Sequence, residues 1–202
     1  MTCSIANRKL LYGVGTNDAD YKVQHMRRID GKVVRDYTCP YYSRWYDMLR
    51  RCYNKKALIT HPKYGNVDVC EEWFTFSNFK SWMEQQDWEG KHLDKDLTFR
   101  GSKLYSPECC RFVSQELNLF IKEAFRSKNN LKVGVSWHKR DNKFTSQCYD
   151  YFKGKLVHLG YCLTEDEAHL KYLEYKVSLI PRMLEEGLIT REEETLLYAW
   201  YE

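Results

Sequence analysis

Gly134-Val-Ser-Trp137, Lys143-Phe-Thr-Ser-Gln-Cys-Tyr149 and Leu156-Val-His-Leu-Gly-Tyr161 are three strand-like runs, parted by Asp141-Asn142 and Lys153-Gly154 and followed at once by Thr164-Glu-Asp-Glu167. Asn, Asp and Gly accept the backbone conformations that tight turns need, so the polar pairs read as turns and the runs as antiparallel strands. Thr164 with Glu167 three residues on is a capping box, which opens a helix expected to reach about Ser178. The stretch predicts three antiparallel strands packed on one helix.

Upstream, Trp45, Met48, Leu49, Cys52 and Tyr53 recur at helical spacing after Pro40, a residue tolerated in a first turn. A loop with His61-Pro62 and Gly65-Asn66 leads to a short strand, Val67-Asp-Val-Cys70, and Phe76, Phe79, Trp82 and Met83 return to helical spacing. Leu93-Asp-Lys-Asp-Leu97 alternates apolar and charged residues, as a half-buried strand does. Cys110-Arg-Phe-Val113 reads as another strand. Ser114 then caps an amphipathic helix carrying Leu117, Phe120, Ile121, Ala124 and Phe125. Residues 92–127 thus read strand, loop, strand, helix. Ahead of Pro40, Gly13 to Asp18 is rich in turns and Asp30-Gly31 suits a hairpin, so an arm or small hairpin is expected. Ser127 to Asn130 is a polar linker, and Thr190 with Glu193 caps a short terminal helix bearing Leu196, Leu197 and Trp200. The expected divisions are an arm over 1–39, a domain over 40–127, a second over 128–180 and a helical tail over 181–202.

The 202 residues are 43% hydrophobic, 15% aromatic and 30% charged. Mean hydropathy is −0.68, which leaves no room for an apolar membrane span. The aromatic share excludes a disordered chain, because such chains lack the side chains that offset conformational entropy. The net charge is only +4, but it is polarised. Residues 122–160 hold nine Lys and Arg against three Asp and Glu, whereas residues 161–202 hold four against ten. The strands are basic; the helix behind them and the tail are acidic. A basic sheet interleaved with Trp137, Tyr149 and Tyr151 is the footprint of a nucleic-acid groove reader, or a solvated sheet with one basic side.

Eight cysteines occur, none in C-x-x-C spacing, and the first ten residues lack an apolar signal core, so reduced thiols and a cytoplasmic location are expected. Cys52, Cys70, Cys109 and Cys110 come from separate segments and are either buried small hydrophobes or thiolate ligands of one structural Zn²⁺.

The run from Gly134 to Cys148, then Gly154-Lys-Leu-Val-His-Leu-Gly-Tyr161 and Thr164-Glu-Asp-Glu-Ala-His-Leu-Lys-Tyr172, resembles the apetala/ethylene-response-factor DNA-binding domain over about 45 residues. The resemblance implies a sheet that enters the major groove of double-stranded DNA and a helix that braces it. Ser136, His138, Lys139, Arg140, Lys143, Gln147, Tyr149 and Lys155 become the expected DNA-facing set, with Phe144, Ala168 and Tyr172 in the core. Gln147 and Tyr149 replace a Glu and an Arg of the plant pattern, so its base preference does not carry over.

Residues 40–127 resemble the phage HNH-type homing endonucleases through Trp45-x-x-Met-Leu-x-x-Cys52-Tyr53, Val69-Cys-x-x-Trp73, Phe76-x-x-Phe79, Leu93-Asp-Lys95 and Tyr105-Ser-Pro-Glu-Cys-Cys-Arg-Phe112. The expected fold class is therefore α+β: an HNH-like ββα-metal unit plus the three-stranded sheet on its helix. The implied chemistry is phosphodiester hydrolysis with Mg²⁺ or Mn²⁺, held by Asp94 and Asn118, and a base that activates water. Lys95 stands where the base histidine belongs, and Cys109 where an asparagine belongs. His92, two residues from Asp94, either substitutes as base or ligand with Asp96 beyond it, or points to solvent from a strand edge. Asp94, Lys95 and Asp96 also read as a surface ion-pair cluster. Arg111 is expected on the DNA backbone. Three functions follow: a phage endonuclease in the host cytoplasm; an inactive DNA-binding regulator derived from one; or a counter-defence module that binds a protein through the acidic tail or an aromatic surface.

Overall fold

A computed structural model describes residues 8–123 and 130–201 of the chain. The protein is α+β, with helices and several small sheets. The chain forms two compact units, Met1–Phe112 and Val113–Glu202.

The first unit opens with a hairpin of β1 (Gln24–Ile29) and β2 (Lys32–Thr38), and its turn residues Asp30 and Gly31 have φ of 50° and 77°. Two successive positive φ values make the turn whose twist suits a two-residue hairpin, as Asp-Gly predicts. Helices α1 (Pro40–Tyr53) and α3 (Phe76–Met83) bury Trp45, Met48, Leu49, Phe76, Phe79 and Met83 around Trp73. The Trp45 indole N–H donates to the Trp73 carbonyl at 2.6 Å, which gives this buried donor its acceptor. Gly15 is needed against α1, since a Cβ there would stand 2.5 Å from Leu49 and 3.0 Å from Trp45.

Three details depart from the periodicity. Helix α2 (Lys55–Thr60) occupies part of the expected loop, because Asn54 caps it through an acceptor bond from the Ala57 N–H at 3.0 Å. A short strand β5 (Leu104–Tyr105) runs parallel to β3 (Asp68–Val69). The expected strand over Leu93–Leu97 is β4 (His92–Asp94) and no longer; it ends where the Asp94 carboxylate accepts the N–H groups of Asp96 and Leu97 at 2.9 and 2.8 Å and turns the chain. Asp96 is therefore off the strand that was expected to align it with His92 and Asp94. β4 pairs with β6 (Arg111–Val113).

In the second unit, α4 (Gln115–Glu123) starts at Ser114, whose hydroxyl accepts the Leu117 N–H at 3.1 Å. The expected helical residues Ala124 and Phe125 and most of the linker from Ser127 lie outside the described residues. β7 (Val135–His138), β8 (Lys143–Asp150) and β9 (Lys155–Cys162) form an antiparallel sheet in the order β7-β8-β9. Helix α5 (Glu165–Ser178) starts at Thr164, which accepts the Glu167 N–H at 3.2 Å, and lies on one face of the sheet, where Ala168 joins Val135 and Cys162. Gly134 is held at φ +79°, and a Cβ would fall 2.2 Å from the Tyr172 ring. Only glycine lets strand and helix approach there. Helix α6 (Ile180–Glu185), absent from the periodicity, begins with Pro181 in its first turn, and α7 (Arg191–Tyr201) opens on the reciprocal Thr190–Glu193 box at 3.2 and 2.7 Å.

Candidate nucleic-acid interface

Pairing register assigns each sheet side chain to a face, since residues directly opposite point the same way and neighbours along a strand alternate. Val135 pairs with Ser146, Phe144 with Cys162, and Asp150 accepts the Tyr175 hydroxyl of α5 at 2.7 Å, so these mark the helix side. The open side then carries Ser136 and His138 from β7, and Lys143, Thr145, Gln147 and Tyr149 from β8. A bulge completes it. The partners of β8 step from Gly160 at Ser146 to His158 at Gln147, so Leu159 is the extra residue, and Tyr161 joins His158 and Leu156 on the open side.

Side-chain contacts agree with this assignment. Gln147 Nε2 donates to Ser136 Oγ at 3.1 Å across β7 and β8. The rings of His138, Tyr161 and His158 form a row with centroid separations of 5.3 and 5.0 Å. At the β7–β8 turn the Asp141 carboxylate lies 3.3 Å from His138 Nδ1 and 3.1 Å from Arg140 Nε. Lys139, Arg140 and Lys143 are exposed around that end. The face thus combines cations at one rim with hydroxyl, amide, imidazole and phenol groups over its centre. Such groups can donate to and accept from base edges, whereas the rim cations suit phosphates.

Five of the eight expected DNA-facing residues, Ser136, His138, Lys143, Gln147 and Tyr149, share this side, and Lys139 and Arg140 sit in the turn beside it. Lys155 does not, because it pairs with Asp150 and belongs to the helix side. Trp137 is also there, edge-on to Phe144 at 4.8 Å. Tyr151 packs with Phe120 and lies 5.2 Å from the Lys176 ammonium, itself buried 3.7 Å from the Phe120 ring centre. Thr145, Leu156, His158 and Tyr161 were missed by sequence reasoning; Gly160 inside a strand was the available sign of a bulge.

The expected catalytic residues are engaged differently. Asp94 is buried, its Oδ1 takes the two backbone amides of its turn, and burial, with the neighbouring Asp96 carboxylate next, raises its carboxyl above the ordinary value. Lys95 is buried too and donates to Asp96 Oδ1 at 2.7 Å and to the Ser102 carbonyl at 2.6 Å. A lysine so bound is a committed donor, and a general base must offer a lone pair. Arg111 Nε donates to Thr98 Oγ1 at 3.0 Å, which ties it to the same turn. His92 lies half-buried on β4, while Asn118 is buried on α4 of the other unit.

Among the described residues no group of three or more His, Cys, Asp or Glu is placed to hold a metal ion. Burial pushes the Cys52 thiol up to about 12, with Asp68 adding to it, and raises Cys70 and Cys110 as well. Of the four cysteines, Cys52 and Cys110 are buried and Cys70 and Cys109 are partly exposed. In the acidic tail, Glu192, Glu193 and Glu194 occupy the first turn of α7, where carboxylates offset the helix dipole. No helix among the described residues is long and apolar enough to cross a membrane.

No family model, curated protein or solved structure matches this chain.

Proposed function

We propose that the protein binds double-stranded DNA by laying the open side of the β7-β8-β9 sheet in the major groove, with α5 as a brace behind it. One observation carries this reading: Ser136, His138, Lys143, Gln147 and Tyr149 converge on one uncovered face, beside Lys139 and Arg140. Arg140 and Lys143 neutralise phosphates, and Gln147, Ser136 and the His138–Tyr161–His158 row meet base edges. The resemblance of the 134–172 segment to apetala/ethylene-response-factor domains supports the same face.

The sequence resemblance of residues 40–127 to phage HNH homing endonucleases is the basis on which we place the chain in that lineage. The commitments of Asp94 and Lys95 favour a regulator that occupies DNA in the host cytoplasm over an enzyme that cuts it. The test combines duplex binding, by fluorescence anisotropy, with nicking of supercoiled plasmid across Mg²⁺ and Mn²⁺ concentrations. Saturable binding without nicking is expected. Nicking abolished by Asp94→Ala would restore the endonuclease reading, and absence of duplex binding would remove both.

A further inference from the structure

The β1–β2 hairpin has two open faces, and each mixes cations with apolar side chains. On one face Arg27 pairs with Val34 and Ile29 with Lys32; on the other Arg28 pairs with Val33 and Met26 with Arg35. All eight are exposed. Asp36 forms an ion pair with Arg27 at 2.5 Å, and Asp30 sits at the tip. The remaining cations Arg28, Lys32 and Arg35 are split between the two faces.

A ribbon built to dock on a protein would gather its apolar side chains on one side, because covering either face here desolvates cations along with Val and Ile. Cations on both sides suit a slot with negative walls on both sides. The major groove is such a slot, about 12 Å wide and 8.5 Å deep, and it admits a two-stranded ribbon. Two strands lie about 4.8 Å apart, and six residues extend about 20 Å, so the hairpin has the width to enter and the length to reach the groove floor. There Val33, Val34 and Ile29 meet thymine methyl groups while the cations turn to phosphates on either wall.

We propose that the β1–β2 ribbon is a second DNA-binding element that enters the major groove of duplex DNA. This rests on the DNA-binding reading above, and its test separates the two. The full chain is titrated into a mixed-sequence 30-base-pair duplex over a salt series, as wild type, as Arg28→Ala/Lys32→Ala/Arg35→Ala, and as Arg140→Ala/Lys143→Ala. Loss of three phosphate contacts lowers the slope of log affinity against log salt by about 2 to 3, and an Arg28→Lys/Arg35→Lys variant keeps it. Because these side chains are exposed, the triple variant melts as wild type does, so its loss of affinity is not unfolding. If the triple variant keeps wild-type affinity and slope while the sheet variant weakens, the ribbon proposal is overturned and the sheet reading stands. If the triple variant weakens and the sheet variant does not, the ribbon stands and the sheet reading fails. A wild-type dimer in sedimentation that Val33→Asp dissociates, with DNA affinity unaltered, would also overturn the proposal by making the ribbon a contact between copies of the chain.

Discussion

Replacing Asp94 separates a turn-forming carboxylate from a metal ligand. Asp94→Ala removes the acceptor of two backbone N–H groups, at 2.9 and 2.8 Å, one of them on the fully buried Leu97. Each unsatisfied buried donor costs about 1–3 kcal/mol, and the release of a buried carboxylate offsets part of this, so a net loss of about 1–3 kcal/mol is expected. Asp94→Asn retains a carbonyl oxygen at the same place and removes the charge beside Asp96, so it should equal or exceed the wild type near neutral pH. The pH dependence has a definite sign. The native carboxyl is raised by burial and Asp96, so its contribution is fully present below the ordinary carboxylate value and is lost as pH rises through the native one. The advantage of Asn over Asp should therefore grow as pH rises above about 4 and level off once the native value is passed. Hydrogen exchange at the Asp96 and Leu97 amides reads the turn locally, which matters because two compact units need not unfold in one step. If Ala and Asn destabilise equally, or if Mg²⁺ stabilises wild type and neither variant, the carboxylate is a ligand and the turn argument is wrong.

Arg140→Ala/Lys143→Ala should lower the salt slope of duplex binding by about 1.8, equivalent to about 60-fold in affinity at 0.1 M salt. Gln147→Ala should leave the slope unchanged and alter the preference among duplex sequences by about 1–3 kcal/mol, measured by competition. Gly134→Ala should cost more than about 3 kcal/mol in thermal unfolding, since it strains a positive φ and drives a methyl into the Tyr172 ring. For Asp150, burial raises the carboxyl but the Tyr175 hydroxyl, the Lys153 N–H and the Lys153 ammonium prevail and hold it below the ordinary range. Its stabilisation is thus present above the ordinary carboxylate value and lost as pH falls through the native one, so Tyr175→Phe should flatten the acid limb of an unfolding-versus-pH curve.

Sequence legibility followed how local the determining interaction was. Thr164–Glu167, Thr190–Glu193 and Ser114 cap helices through bonds spanning three residues, and Asp30-Gly31 sets a turn within itself, so all were readable. The helices around Trp73 were readable because burial repeats at helical spacing. β9 was only half readable. Strict alternation places Tyr161 opposite in face to His158, and the bulge at Leu159 rephases the strand so that they stand together. Lys155, named through the family resemblance, and Trp137, named for its aromaticity, lie on the helix side for a related reason, since only pairing register fixes a face. Asp94 and Lys95 show the opposite limit. In the sequence Asp94 matched the carboxylate of a catalytic motif and Lys95 stood in place of its histidine, whereas their contacts depend on where the turn carries the Asp96 and Leu97 amides and the Ser102 carbonyl.

The charge polarity of the C-terminal half acquires a physical sense from the sheet. The acids of Glu165, Asp166 and Glu167 crowd the first turn of α5, where the helix dipole favours them, and Lys132 pairs with Asp166. On a single surface, these carboxylates would repel the phosphates that Arg140 and Lys143 attract. Helix α5 instead lies on the side of the sheet away from the open face, and a helix packs about 10 Å from the layer it covers. That separation is comparable to the Debye length of about 8–10 Å at 0.1–0.15 M salt, so on the proposed reading the acidic layer would be largely screened from DNA on the open face while the rim cations would contact it directly. Lowering the salt lengthens the screening distance and lets the acidic layer oppose binding. If the sheet binds DNA as proposed, the α5 acids should therefore reduce the gain in affinity at low salt without reducing the number of phosphate contacts made by the sheet.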